Sequence, residues 1–197
     1  MTFASDATEA CSTEISGIIF ALVGPSGCGK SALIVEMLRR FPDELVLMRS
    51  LTTRPRRDAE DDRSTRFVSK AEFLAFQATG ALIQSVEYAG NYYGDVRDDV
   101  DAIFSAGKHA IRPLIEEAVQ SFRDKGYRVA FVRITPSGDC YRNRSVEREI
   151  LDAGRALAAE SLPCDFELFN RFGSGGFEVA CGELQVFIRR TLDRESK

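Results

Sequence analysis

Residues 24 to 31 read Gly-Pro-Ser-Gly-Cys-Gly-Lys-Ser, which satisfies G-x-x-x-x-G-K-[ST] at every defined position. The residue types follow from phosphate chemistry. Gly24, Gly27 and Gly29 let successive backbone N–H groups turn toward phosphate oxygens without Cβ clashes, while Ser26 and Cys28 are small enough to line the same bend. A helix opening near Gly29 would add its positive N-terminal end. Lys30 can reach the outer phosphates, and the Ser31 hydroxyl can ligate Mg²⁺. Cys28 is read as a small filler of the loop, with redox sensitivity as the lesser alternative.

A second concentration of charge lies at 54–66 (RPRRDAEDDRSTR), with five arginines and four acids. It reads as a solvated loop able to hold anions. The single histidine, His109, removes multi-histidine zinc sites from consideration, and a Ser-His-Asp triad would rest on that one residue. Five scattered cysteines without a C-x-x-C pair fit reduced thiols in a cytoplasm better than a disulfide framework.

The elements that must carry these groups alternate between strand and helix. Gly17–Val23 is a continuous apolar run that stops at Gly24-Pro25, as expected of a strand buried on both faces. Ser31 to Phe41 carries Leu33, Ile34, Met37 and Leu38 on one helical stripe. Leu45–Met48 is a short strand. Ser69 with Glu72 is a capping box opening a helix that Gly80 ends. Residues 81–88 read as a strand, Gly90–Gly94 as a turn, and Val96–Phe104 as a helix. His109–Ile111 is a weak strand, after which Pro113 is expected in the first turn of a helix reaching Lys125. Tyr127–Ile134 and Phe166–Phe169 are further strands, a charged helical stretch covers 142–160, and Phe177–Ile188 marks a closing amphipathic helix. Strands separated by helices indicate an α/β protein with a mostly parallel sheet and an insertion near 50–95.

With the loop in place, further segments resemble the guanylate kinase family. Ser50-Leu-Thr-Thr-Arg54-Pro-Arg-Arg57 is similar to its S-x-T-T-R-x-x-R segment, Phe67-Val-Ser-Lys-Ala-Glu-Phe73 to its FVSxxEF step, and Gly90-Asn-Tyr-Tyr-Gly94 to its GNYYG turn. The resemblance is close over 17–110 and weaker toward the C-terminus. It implies a P-loop NTPase fold, a three-layer α/β/α sandwich. The core would be 17–48 and 96–197, with an acceptor-binding subdomain at about 49–95, a short lid at about 138–160, and residues 1–16 as a polar tail. It implies ATP and Mg²⁺ as cofactors and a small phosphate-bearing acceptor. Arg54, Arg57 and Tyr93 would then hold the acceptor's phosphate, and Ser50 would lie beside its base or sugar. Arg144 and Arg155 would close over the phosphates as lid arginines, and Asn170 would fall where the family touches adenine.

The departures from that pattern concern the acceptor base. Thr65 replaces a phosphate-binding tyrosine, Gln84 replaces the guanine-reading glutamate, Asp95 replaces a small hydroxyl residue, and Pro113-Leu114-Ile115 stands in place of an acidic D-x-D segment. Gln84 cannot offer two acceptor oxygens to the guanine N1–H and N2–H edge as a carboxylate does. Asp95 would repel a phosphate unless it holds a sugar hydroxyl or a basic group. Mg²⁺ would depend on Ser31, nucleotide oxygens and water.

The reading is therefore an ATP-dependent phosphotransferase with a GMP-like acceptor as default. A ribose 1,5-bisphosphate phosphokinase-like enzyme and a non-catalytic binding module stand as alternatives. A length of 197 residues, 44% apolar composition and a net charge of −4 fit one globular domain, monomeric or homodimeric. They give no global pull toward nucleic acid or an anionic membrane. No apolar run approaches the roughly 20 residues of a membrane span, and the N-terminus lacks the basic leader and apolar core of a secretory signal.

Overall fold

A computed structural model describes residues 17–56, 61–137, 162–171 and 175–195. The expected tail, the lid and the 142–160 helical stretch, with Arg57, Arg144 and Arg155, lie outside the described residues.

Two sheets organise the chain. The first holds β1 (Ile18–Val23), β2 (Leu45–Leu47), β7 (His109–Pro113), β8 (Arg128–Ser137) and β9 (Phe166–Arg171) in the order β2-β7-β1-β8-β9. Every pairing in it is parallel. β1 lies at its centre, and each of its residues is buried, which is why the sequence shows no alternation there. Its side chains nevertheless divide by face. Ile18, Phe20 and Leu22 pack with Leu33, Met37, Leu184 and Ile188 of α1 (Lys30–Arg40) and α6 (Gly176–Glu195). Ile19, Ala21 and Val23 pack with Val100, Phe104, Val119 and Phe122 of α4 (Arg97–Ser105) and α5 (Glu116–Asp124). Helices on both faces of a parallel sheet make the expected three-layer α/β/α architecture.

The second sheet, in the order β4-β3-β6-β5, is inserted between β2 and α4. It comprises β3 (Ser50–Thr52), β4 (Thr65–Phe67), β5 (Leu82–Tyr88) and β6 (Asn91–Val96), and it pairs parallel at β3–β4 but antiparallel at β3–β6 and β5–β6. The short helix α2 (Asp61–Ser64) precedes β4. Helix α3 (Lys70–Ala78) packs Phe73 against Leu51 and Val96 as a small separate core. The Ser69–Glu72 capping box is present: Ser69 Oγ accepts from the Glu72 amide at 3.2 Å, and Glu72 accepts from the Ser69 amide at 2.7 Å.

Three local expectations are corrected. The Gly90–Gly94 segment is not a turn throughout: the bend is at Ala89-Gly90, and Tyr92, Tyr93 and Gly94 are paired in β6. Gly94 faces strand-packing limits, because a Cβ there would lie 3.0 Å from the Gln84 carbonyl and 3.1 Å from the Phe73 ring. Pro113 ends β7 and does not start a helix; α5 begins at Glu116. The 54–66 loop is partly structured, since its end forms α2 and β4. Residues this polar acquire strand geometry only by pairing with β3.

Candidate active site

Parallel strands β1, β7, β8 and β9 end on one side of the sheet, where α/β proteins bind their ligands. The 24–29 loop leaves β1 at that edge and enters α1 through Gly29, whose φ of 93° only glycine adopts without strain. The start of α1 has neither a capping side chain nor an acid in its first turn. By contrast α3 has its capping box, and α4 and α5 open with Asp98-Asp99 and Glu116-Glu117. Neither a cap nor a first-turn acid of its own claims the N–H groups of α1, which suits a site for an external anion.

The remaining loop residues are placed consistently with that use. Lys30 folds back so that Nζ donates to the Gly24 and Pro25 carbonyls, each at 2.7 Å, with Cys28 Sγ at 3.6 Å. The Ser31 side chain, one residue into the helix, is exposed. Cys28 is 1% exposed and packs into the α1–α6 core, so its thiol fills space and is not presented to solvent. Asn170, expected near adenine, stands against the loop. It is 2% exposed, and its Nδ2 donates to the Cys28 carbonyl at 2.9 Å, which buttresses the loop from β9.

The four-stranded sheet carries the second half of the site. Thr52 Oγ1 donates to the Tyr92 carbonyl at 2.8 Å and Thr53 Oγ1 accepts from the Tyr92 amide at 2.9 Å, fixing β3 against β6. Thr52 pairs with Tyr93, so Arg54 and Tyr93 issue from neighbouring strands. The guanidinium groups of Arg54 and Arg56 each lie 5.2 Å from the Phe67 ring centre, which limits where they can point. Arg54 Nη1 also donates to the Pro55 carbonyl at 2.9 Å. Tyr93 is half-buried beside Tyr88. Ser50 Oγ reaches the Ser64 carbonyl at 3.5 Å, and Thr65 is buried in β4.

Gln84, Asp95 and Arg112 form one array. Asp95 is fully buried, its Oδ1 pairs with Arg112 Nη1, and its Oδ2 accepts from Gln84 Nε2 at 2.7 Å. The basic partner that Asp95 needs is therefore Arg112, a residue that sequence reasoning passed over. The signal was available: an arginine inside the buried strand HAIRP is a charge that requires a counter-charge. The pair also joins the two sheets, since Arg112 lies on β7 and Asp95 on β6.

Asp101 lies on α4 beside Tyr127. It accepts from the Tyr127 hydroxyl at 2.9 Å, and burial followed by that bond pushes the Tyr127 hydroxyl up to about 12. Among the described residues no group of three or more His, Cys, Asp or Glu gathers to hold a metal. A single hydroxyl such as that of Ser31 would suit Mg²⁺, which keeps several waters.

Comparison with known proteins places this arrangement. A family model for guanylate kinase matches residues 17–172. The chain belongs to the guanylate kinase family. It is 32% identical over 185 residues to the guanylate kinase of Bordetella pertussis, covering 88% of this chain and 83% of that one. It is 30% identical over 157 residues to that of Thermosynechococcus vestitus, covering 79% and 82% respectively. The crystal structure of guanylate kinase from Anaplasma phagocytophilum superposes with a TM-score of 0.62 at 22% identity, over 89% of this chain and 86% of that one, which speaks to the fold. As a guanylate kinase family member the protein is a phosphotransferase of the nucleotide-kinase kind that uses ATP and Mg²⁺. The glycine cradle, the acid-free helix start and the Ser31 hydroxyl fit those two groups. No helix among the described residues is long and apolar enough to cross a membrane.

Proposed function

We propose that this protein transfers the γ-phosphoryl group of ATP to a nucleoside monophosphate, with GMP as the default acceptor. The observation that carries the reading is the start of α1, free of capping side chains and acids, below a glycine loop braced by Asn170. Bound ATP supplies the phosphoryl group, and Mg²⁺ neutralises its oxygens. Lys30 would exchange the Gly24 and Pro25 carbonyls for phosphate oxygens, and the Ser31 hydroxyl would hold the metal. Ser50, Arg54, Arg57, Gln84, Tyr93 and Asp95 would form the acceptor side, Arg54, Arg57 and Tyr93 gripping the phosphate with charge-assisted bonds. Arg144 and Arg155 would neutralise charge on the group in transit.

The attacking oxygen belongs to an anionic phosphate, so no general base is needed, and catalysis reduces to positioning and charge neutralisation. That agrees with a chain holding one histidine, used structurally: His109 Nδ1 accepts from the Ile18 amide at 3.1 Å.

A coupled ADP-release assay over GMP, dGMP, AMP, CMP, UMP and ribose 1,5-bisphosphate tests the reading. Turnover with a nucleotide is expected. Turnover confined to the sugar bisphosphate would make the protein a ribose 1,5-bisphosphate phosphokinase-like enzyme. Failure of ATP-Mg²⁺ to bind in calorimetry would make it a binding module. We place the enzyme in the cytoplasm as a monomer or homodimer acting on small molecules, not nucleic acid or membrane.

A further inference from the structure

The Gln84 amide is held in one orientation. An ionised carboxylate only accepts, so the Gln84 atom facing Asp95 Oδ2 at 2.7 Å is the amide nitrogen. The carbonyl oxygen of the same planar group is then turned away from Asp95. Asp95 is fully buried and sits on the acceptor side behind Gln84, which is half-buried on β5. Arg112 is 9% exposed, and its Nε donates to the Pro113 carbonyl at 3.2 Å, so the guanidinium is anchored to its own strand while Nη1 holds Asp95. The ion pair cancels its own charge, which leaves the neutral Gln84 carbonyl as the part of the array that Asp95 does not hold.

We propose that Asp95 is a positioning residue that fixes the Gln84 carbonyl toward the acceptor base, so that the site favours a neutral base offering ring N–H, a 6-oxopurine, over one offering a ring lone pair there, a 6-aminopurine. The inference rests on the proposed function in placing the acceptor base against Gln84. A carbonyl meeting an N–H gains a hydrogen bond, whereas a carbonyl meeting a nitrogen lone pair leaves two acceptors facing each other. A sugar bisphosphate presents no N–H to this group.

The test is calorimetric titration of GMP and of AMP into wild type and Asp95→Asn. Wild type is expected to bind GMP at least about tenfold more tightly than AMP, the discrimination of roughly one buried hydrogen bond. Asparagine can offer either end of its amide, so Gln84 is freed to flip, and the preference should narrow to about threefold or less with ATP affinity unchanged. A purely structural role would weaken both nucleotides alike and leave the ratio in place. Because Asp95→Asn strands the Arg112 charge, Asp95→Asn with Arg112→Met removes both charges at similar volume and carries the same expectation if the single variant does not fold. An unchanged ratio overturns the inference alone, as does wild type preferring AMP. Binding of neither nucleotide to wild type overturns the proposed function with it.

Discussion

Gly29→Ala tests whether the phosphate loop is built as described. Gly29 has φ of 93°, and an added Cβ would lie 2.4 Å from Asn170 Nδ2. The left-handed conformation costs an L-residue about 1–2 kcal/mol. Ordinary contact needs roughly 1 Å more room, so the amide must retreat. Its 2.9 Å bond to the Cys28 carbonyl then stretches beyond hydrogen-bond range. Losing that bond with its buried partners unsatisfied costs about 1–2 kcal/mol. The sum is about 2–4 kcal/mol, which at this chain length lowers the melting temperature by about 4–16 °C.

Asn170→Ala alone should cost about 1–2 kcal/mol, the bond without the strain. In the Asn170→Ala background, Gly29→Ala meets no amide and should cost only the backbone term. The double-mutant cycle in urea melts should therefore show a coupling of about 1–2 kcal/mol. In steady-state kinetics both variants should raise KM for ATP well above any change in KM for the acceptor. Strict additivity in the cycle would refute the packing of Asn170 under the loop, and an unperturbed Gly29→Ala would refute the loop conformation itself.

Lys30→Ala should abolish phosphotransfer. Because Nζ holds two loop carbonyls at 2.7 Å, it should also lower stability by about 1 kcal/mol, so a melt identical to wild type would contradict that contact. Arg54→Ala should raise the acceptor's KM at least about tenfold while leaving KM for ATP near wild type, the scale of one charge-assisted hydrogen bond. Equal effects on both substrates would displace the acceptor site. Burial holds His109 below the ordinary 6.5, and protonating Nδ1 would break its bond to the Ile18 amide. A depressed folded value means the unfolded chain takes up the proton first. Stability should thus be full above about pH 6.5 and fall as pH drops through the folded value. The single imidazole resonance in proton NMR gives that value directly, and a titration at or above 6.5 would refute it.

What the sequence by itself determined was local in origin. The phosphate loop, the two-sided burial of β1, the Ser69–Glu72 capping box and the stripes of α1 and α6 are written in spacings of a few residues, which backbone geometry converts directly into structure. The insertion after the second strand was legible for the same reason: its helix and β5 are periodic even where the arginine-rich stretch is not. Only the tertiary structure decided which distant residues meet. β3 and β4 are too short and polar to announce themselves and exist as strands because β4 pairs with β3, and β3 with both β4 and β6. Asn170 lies 142 residues from the carbonyl it serves, and Arg112 lies 17 from the carboxylate it neutralises. Such pairings carry no periodic trace, since a buried charge or amide fixes only that some partner must exist. Which partner it is depends on strand order, and that emerges when the two sheets assemble.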